Sequence, residues 1–219
     1  MIKYSYIERL PRKDEGLVIS PYAAHMKCIN LVGRDKIILD AGCSYGYIAN
    51  ELRKKGCRVA GIEIDPVKAE KAKQFCENVH VGDIENIELN YSDYFDVILF
   101  ADILEHLRYP GEVLRKFRKY LKNTGFIVAS IPNIANYTIR GKLLFGNFDA
   151  DGGILNPEHV RFFTKKRALA MFKQAGYAAK IVDVTTNLPA ARRIPLLRSL
   201  ARSWMTFFGY QFIIKAYTV

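Results

Sequence analysis

Residues 37–46, IILDAGCSYG, constrain the fold more than any other stretch: three apolar residues run into the carboxylate Asp40 and then into a turn bearing Gly42 and Gly46. An apolar run stopped by a glycine turn predicts a strand that hands over to a helix. The carboxyl end of such a first strand is where α/β sheets build ligand sites. The spacing is G-x-x-x-G, not the G-x-G-x-x-G by which a backbone closes on a pyrophosphate at a helix N-terminus. Asp40 would repel a diphosphate and attract a cation. A ligand with a cationic head and no phosphate fits that charge.

The segments that follow fall where a βαβ chain requires them. Residues 58–65, RVAGIEID, read as a second strand ending in acid, and a carboxylate roughly 20 residues past the glycine turn is placed to accept ribose hydroxyls. Glu63 takes that role. Asp65 precedes Pro66 and reads as the N-cap of a helix carrying Ala69, Ala72, Phe75 and Cys76. Residues 79–84 give a short third strand ending at Asp83, and residues 95–100 a fourth that leads into Ala101, Asp102, Ile103, Leu104, Glu105, His106, Leu107 and Pro110. Val113, Leu114, Phe117, Tyr120 and Leu121 recur at helical spacing. After Gly125 comes a fifth strand over 126–131, ended by Pro132 and Asn133. Thr164 is a good N-cap for a further helix that Phe172 and Ala175 close before Gly176. Strands over 180–185 and 210–217 complete an α/β, Rossmann-like, doubly wound, mostly parallel seven-stranded sheet with an acceptor-side insertion.

These residues carry a resemblance. Residues 40–46 resemble the D-x-G-C-G-x-G motif of the class I S-adenosylmethionine-dependent methyltransferases, with Ser44 where the middle glycine is usual. Residues 102–110 are similar to the D-x-L-E-H-L…P stretch of many small-molecule O-methyltransferases. Residues 154–164, ILNPEHVRFFT, follow Ser130-Ile131-Pro132-Asn133 as in methyltransferase domains of cell-surface polysaccharide and O-antigen biosynthesis. The resemblance implies S-adenosylmethionine as cofactor, whose ammonium and sulfonium suit Asp40. It implies a donor site of Asp40, Gly42, Cys43, Ser44, Gly46, Glu63, Ile64, Asp83, Ile84 and Ala101, with Asp83 accepting from the adenine amino group.

The same resemblance implies O-methylation of a sugar, glycan precursor or related anionic metabolite. A phenolic or quinone-like acceptor is the alternative, and a protein that binds the donor without transferring methyl is the alternative of another class. Asp40 and the glycine spacing disfavour nicotinamide chemistry. His106 is the best-placed base by family topology, with His159 second, since an imidazole titrating near ~6.5 suits proton transfer. His25 and His80 have weaker claims. Asp102, Glu105, His106 and His159 also resemble the E-x-x-E-H…H set of metal-dependent small-RNA 2′-O-methyltransferases, a candidate site for Mg²⁺, Mn²⁺ or Zn²⁺. The reading without metal is preferred, because Asp102 shortens the reach of the usual glutamate.

The 219 residues read as one domain, with a donor half over 35–131, an acceptor-side segment over 132–165, and last strands with a helical insertion over 176–219. The four cysteines form no C-x-x-C pair, which argues against zinc or a disulfide framework and for a reducing cytoplasm. Residues 1–12 lack the apolar core of a signal peptide, and no run approaches the ~20 apolar residues of a membrane span. A net charge of +11 bears on partners. Its basic residues gather in 161–167 and 192–202, pointing to an anionic acceptor or an acidic membrane surface more than to nucleic acid, for which no recognition module is present. Phe162 and Phe163 read as core, and Arg161 as an ion-pair partner or an acceptor contact.

Leu196, Leu197, Leu200, Trp204, Phe207 and Phe208 fall on one helical stripe, opposite Arg198, Ser199, Arg202 and Ser203. Such a helix docks on the protein's own core or on a second subunit, or lies on the inner face of the membrane. The oligomeric state is not constrained by the sequence.

Overall fold

The computed structural model describes residues 23–149, 152–188, 199 and 203–219. Strands β1 (Ile37–Ala41), β2 (Arg58–Glu63), β3 (Asn78–Val81), β4 (Phe95–Ala101), β5 (Leu121–Pro132), β6 (Tyr177–Val184) and β7 (Gln211–Thr218) form one sheet in the order β3-β2-β1-β4-β5-β7-β6. The first five run parallel, and β7 is antiparallel to both β5 and β6. Strand order reverses between β1 and β4, which pair directly with Asp40 opposite Leu99. Ligands of doubly wound sheets bind at that reversal, outside the carboxyl ends of the strands.

The helices are α1 (Ala24–Val32), α2 (Tyr47–Arg53), α3 (Pro66–Ala72), α4 (Pro110–Phe117), α5 (Tyr137–Leu144), α6 (Lys165–Gln174) and the single turn α7 (Met205–Phe208). Both faces of the sheet are buried, so its central strands are nearly continuous apolar runs. On one face Cys28, Val32 and Leu52 from α1 and α2 pack with Ile38, Val97 and Leu99. On the other, Val113 and Phe117 of α4 and Phe172 of α6 pack with Leu39, Phe100 and Ile127.

The expected caps are present: Asp65 accepts from the Val67 and Lys68 amides, and Thr164 from the Arg167 amide. Some boundaries differ from expectation. Phe75 and Cys76 lie beyond α3, which ends at Ala72. Tyr120 and Leu121 lie outside α4, because Arg118–Tyr120 tighten into a 3-10 turn and Leu121 already pairs with Phe95. The Tyr120 hydroxyl fixes that turn, accepting from the Leu89 amide at 2.9 Å and donating to Glu88 at 3.0 Å. Helices α1 and α5 were not anticipated. Of the proposed apolar stripe, Leu196, Leu197 and Leu200 lie outside the described residues, as do Arg198 and Arg202, while Trp204 and Phe207 are exposed. All four cysteines are free and buried, and no helix among the described residues is long and apolar enough to cross a membrane.

Candidate active site

The turn after β1 is folded back on β2. The Gly42 and Cys43 amides both donate to the Ile62 carbonyl at 2.9 Å, and the Ser44 amide donates to Glu63 Oε2 at 2.8 Å. Gly42, Ser44 and Gly46 all have left-handed backbone, with φ of 82°, 49° and 78°. The middle position therefore favours glycine on conformational grounds, and Ser44 occupies it at a cost of about 1–2 kcal/mol. Gly42 has a second constraint: a Cβ there would stand 2.2 Å from Ile103 Cδ1, on the turn that follows β4. The two turns at the strand-order reversal thus touch each other through a glycine.

Glu63, buried at the end of β2, also accepts from the Asp65 amide at 2.9 Å. Its two oxygens each keep a lone pair for a further donor. Ile64 beside it is 66% exposed, an apolar side chain held open to solvent. Asp83 closes its own turn, accepting from the Glu85 amide and from Asn86 Nδ2, while Ile84 is buried. Asp40 is 1% exposed, its Oδ2 has no hydrogen-bond partner among the described residues, and burial pushes its carboxyl up to about 7 against the pull of His25. Such an oxygen is costly unless a ligand supplies a donor.

Asp102, just past β4, has left-handed backbone (φ 54°) and is held from three sides. Ser130 of β5 donates to Oδ1 at 2.6 Å and accepts from the Asp102 amide, Gln211 of β7 donates to the same oxygen at 2.9 Å, and His25 Nε2 of α1 lies 3.3 Å from Oδ2. Burial alone would raise the Asp102 carboxyl, but His25, Ser130 and Gln211 hold it below the ordinary carboxylate range. Sequence reading gave His25 little weight; its partner comes from a distant strand, and no periodicity announces such a pair.

Three and four residues past Asp102, Glu105 and His106 meet His159, with ligand-type atoms all within 4.8 Å of one another. His106 Nδ1 lies 3.1 Å from the Glu158 carbonyl and His159 Nδ1 2.9 Å from the Ile154 carbonyl, so each donates there and leaves Nε2 as a lone pair. The rings stand edge to face at 4.8 Å. Glu105 is 1% exposed and neither carboxyl oxygen has a hydrogen-bond partner among the described residues; His159 Nε2 is 4.0 Å away. Burial, reinforced by Asp102, raises the Glu105 carboxyl well above its ordinary value, and burial lowers His159. The structure therefore gathers three of the four residues of the sequence-derived metal set, while Asp102 belongs to the His25 network.

The acceptor-side segment is fastened by residues that sequence reading passed over. The Glu105 carbonyl accepts from the Val160 and Arg161 amides at 3.0 Å, tying residues 160–161 to the turn after β4. Asn133, fully buried, donates to the Thr206 and Gly209 carbonyls, and Asn136 caps α5 while donating to Gly209. Phe163 is core, Phe162 is half-buried, and the Arg161 guanidinium donates to the Arg108 carbonyl. The Ser-Ile-Pro-Asn run was the available signal: Ser130 holds Asp102, and Asn133 holds the chain that enters β7.

An open α/β sheet with this strand order, a glycine turn after β1 and an acid at the end of β2 has the fold of the class I methyltransferases. The chain belongs to the methyltransferase-domain family, whose model matches residues 23–180. It is 40% identical over 68 residues to a ribosomal protein L11 methyltransferase of Clostridium botulinum, covering 31% of this chain and 21% of that protein. Over 104 residues it is 30% identical to a ubiquinone biosynthesis O-methyltransferase of Nitrosococcus oceani, covering 45% of this chain and 44% of the relative. The chain thus spans less than half the length of these curated relatives. A SAM-dependent methyltransferase from Thermotoga maritima has the same fold, with a TM-score of 0.65 at 17% identity over 90% of this chain and 89% of the other.

Proposed function

We propose that the protein methylates a hydroxyl oxygen of a sugar, glycan precursor or related anionic metabolite, with His106 and His159 flanking the reaction. The observation that carries this reading is the pair of imidazoles whose Nδ1 hydrogens are committed to backbone carbonyls, leaving Nε2 lone pairs beside the turn after β4. The acceptor oxygen forms its bond to the methyl carbon as the carbon–sulfur bond breaks. The bonding electrons return to sulfur, and the hydroxyl proton passes to an imidazole Nε2. The donor is already activated, so the protein's contribution is alignment and exclusion of water. Donor binding falls to Asp40 and Ala101 at the amino-acid end, Glu63 at the ribose, and Asp83 with Ile64 and Ile84 at the adenine, over a backbone turn of Gly42, Cys43, Ser44 and Gly46.

The net charge of +11 supports an anionic acceptor. A phenolic or quinone-like acceptor is the second reading, favoured by the relative named as a ubiquinone biosynthesis O-methyltransferase. Glu105, His106 and His159 also suit a divalent cation, a role favoured by the unpartnered Glu105 oxygens and the anchored imidazoles. Radiolabelled methyl transfer to a panel of nucleotide sugars, glycan precursors and catechols tests the acceptor class, with and without exhaustive chelation. Label on sugars that survives chelation supports the metal-free sugar reading. Label on catechols alone moves the assignment to the second acceptor, and loss on chelation would mean that Glu105, His106 and His159 hold a divalent cation able to acidify the acceptor hydroxyl.

A further inference from the structure

The carboxyl ends of β1 and β4 present two carboxylates to the strand-order reversal, Asp40 and Asp102, and one imidazole, His25, reaches over them from the first turn of α1. Asp40 offers an unpartnered oxygen at 1% exposure. Asp102 has both oxygens committed, to Ser130 and Gln211 on one side and to His25 on the other. His25 is half-exposed, and its Nδ1 has no hydrogen-bond partner among the described residues. Helix α1 is fixed over the sheet by burial of Cys28, Ile29 and Val32 and by the ion pair of Lys27 with Asp183 of β6. The imidazole is therefore a positioned group.

The donor ends in an amino acid, with an ammonium and a carboxylate on one carbon. A crevice lined by Asp40 and Asp102 alone would attract the first and repel the second. We propose that His25, anchored on Asp102, is the cation that binds the donor's α-carboxylate, while the unpartnered oxygen of Asp40 takes its ammonium. The hydrogen bond that His25 donates to Asp102 outweighs burial and lifts His25 above the ordinary histidine value, with Asp40 adding to it, which favours the charged form this role needs. Asp102 acts through His25 as a positioning residue, and Ser130 and Gln211 fix Asp102. The proposal deepens the donor assignment and does not depend on the acceptor.

The test is a double cycle of protein and ligand, read by titration calorimetry on the full chain. Wild type and His25→Ala are each titrated with S-adenosylmethionine and with decarboxylated S-adenosylmethionine, which keeps the ammonium and lacks the carboxylate. Removing either partner of a charged hydrogen bond weakens binding about tenfold, and removing the second after the first costs less than about twofold, the signature of a direct contact. His25→Lys, which restores a cation, recovers part of the loss for S-adenosylmethionine alone. Equal losses for both ligands in His25→Ala place the residue's effect on the fold, and unchanged affinity for S-adenosylmethionine removes it from the site; either result overturns the proposal. Failure of wild type to bind both ligands, seen before any variant, would instead overturn the donor assignment.

Discussion

The proposed donor side and the proposed acceptor side of this molecule are built by different means. Apart from the His25–Asp102 pair, the proposed donor side is assembled from short turns at the ends of β1, β2 and β3, each contiguous in sequence, built on glycine, backbone amides and single carboxylates. The acceptor side joins residues far apart in the chain: Glu105 and His106 follow β4, His159 precedes α6, and the contacts that hold them run through backbone carbonyls and buried asparagines. A site of the first kind survives sequence divergence as a motif. The second kind needs the whole sheet in place before its residues meet.

If the two sides are separable, a lesion in one leaves the other intact. The largest effect is expected for Asn133→Ala, which strands the Thr206 carbonyl and the Ala135 amide and leaves the buried Gly209 carbonyl to Asn136 alone. Urea unfolding should show a loss of about 2–4 kcal/mol, with donor affinity per folded molecule unchanged; a matching collapse of donor binding would break the comparison. On the donor side, Glu63→Ala leaves the Ser44 and Asp65 amides without their acceptor. Calorimetry should show donor binding weakened by about 1–3 kcal/mol.

Gly61→Ala sharpens the same contrast. Its Cβ would stand 2.5 Å from Cys43 Sγ, so the donor turn must shift at a cost of about 1–3 kcal/mol, read by thermal unfolding alongside donor affinity.

Asp40 gives a pH test. Its carboxyl is raised by burial to about 7, so the stability it contributes is present below its unfolded value near ~3.9 and is lost as pH rises through 7. Free of donor, Asp40→Asn should gain on wild type by about 1 kcal/mol or more between pH 5 and pH 8, and denaturant midpoints at the two pH values would show it. An unchanged difference would mean that Asp40 is not strained by burial. The smallest effect belongs to Ser44→Gly, where relief of the left-handed backbone (φ 49°) is offset by unfolded-chain entropy. The net gain should stay below about 1 kcal/mol in the same assay.

Legibility in the sequence followed this division. The strands, the β1 turn, Glu63 and the caps at Asp65 and Thr164 could be read because each is encoded within a few residues. Helix boundaries failed where a tertiary contact decided them: Tyr120 keeps helical spacing, yet its hydroxyl is claimed by Leu89 and Glu88. The His25–Asp102 contact was not legible because the two residues come from α1 and from the turn after β4, and α5 was passed over because its cap, Asn136, is fixed by the chain entering β7. Of Asp102, Glu105, His106 and His159 the structure brings the last three together, since nothing local tells that Asp102 turns toward Ser130 and Gln211.

The central claim is that donor binding and proton handling reside in separate parts of the site, and the double variant His106→Asn with His159→Asn addresses it most directly. Donor affinity by calorimetry and single-turnover methyl transfer to whichever panel acceptor takes label would be measured on the same preparation. The account predicts donor affinity within about twofold of wild type and transfer slowed by about 10²-fold or more, the scale of general-base catalysis. Transfer at the wild-type rate, or a loss of donor binding as large as the loss of transfer, would contradict it.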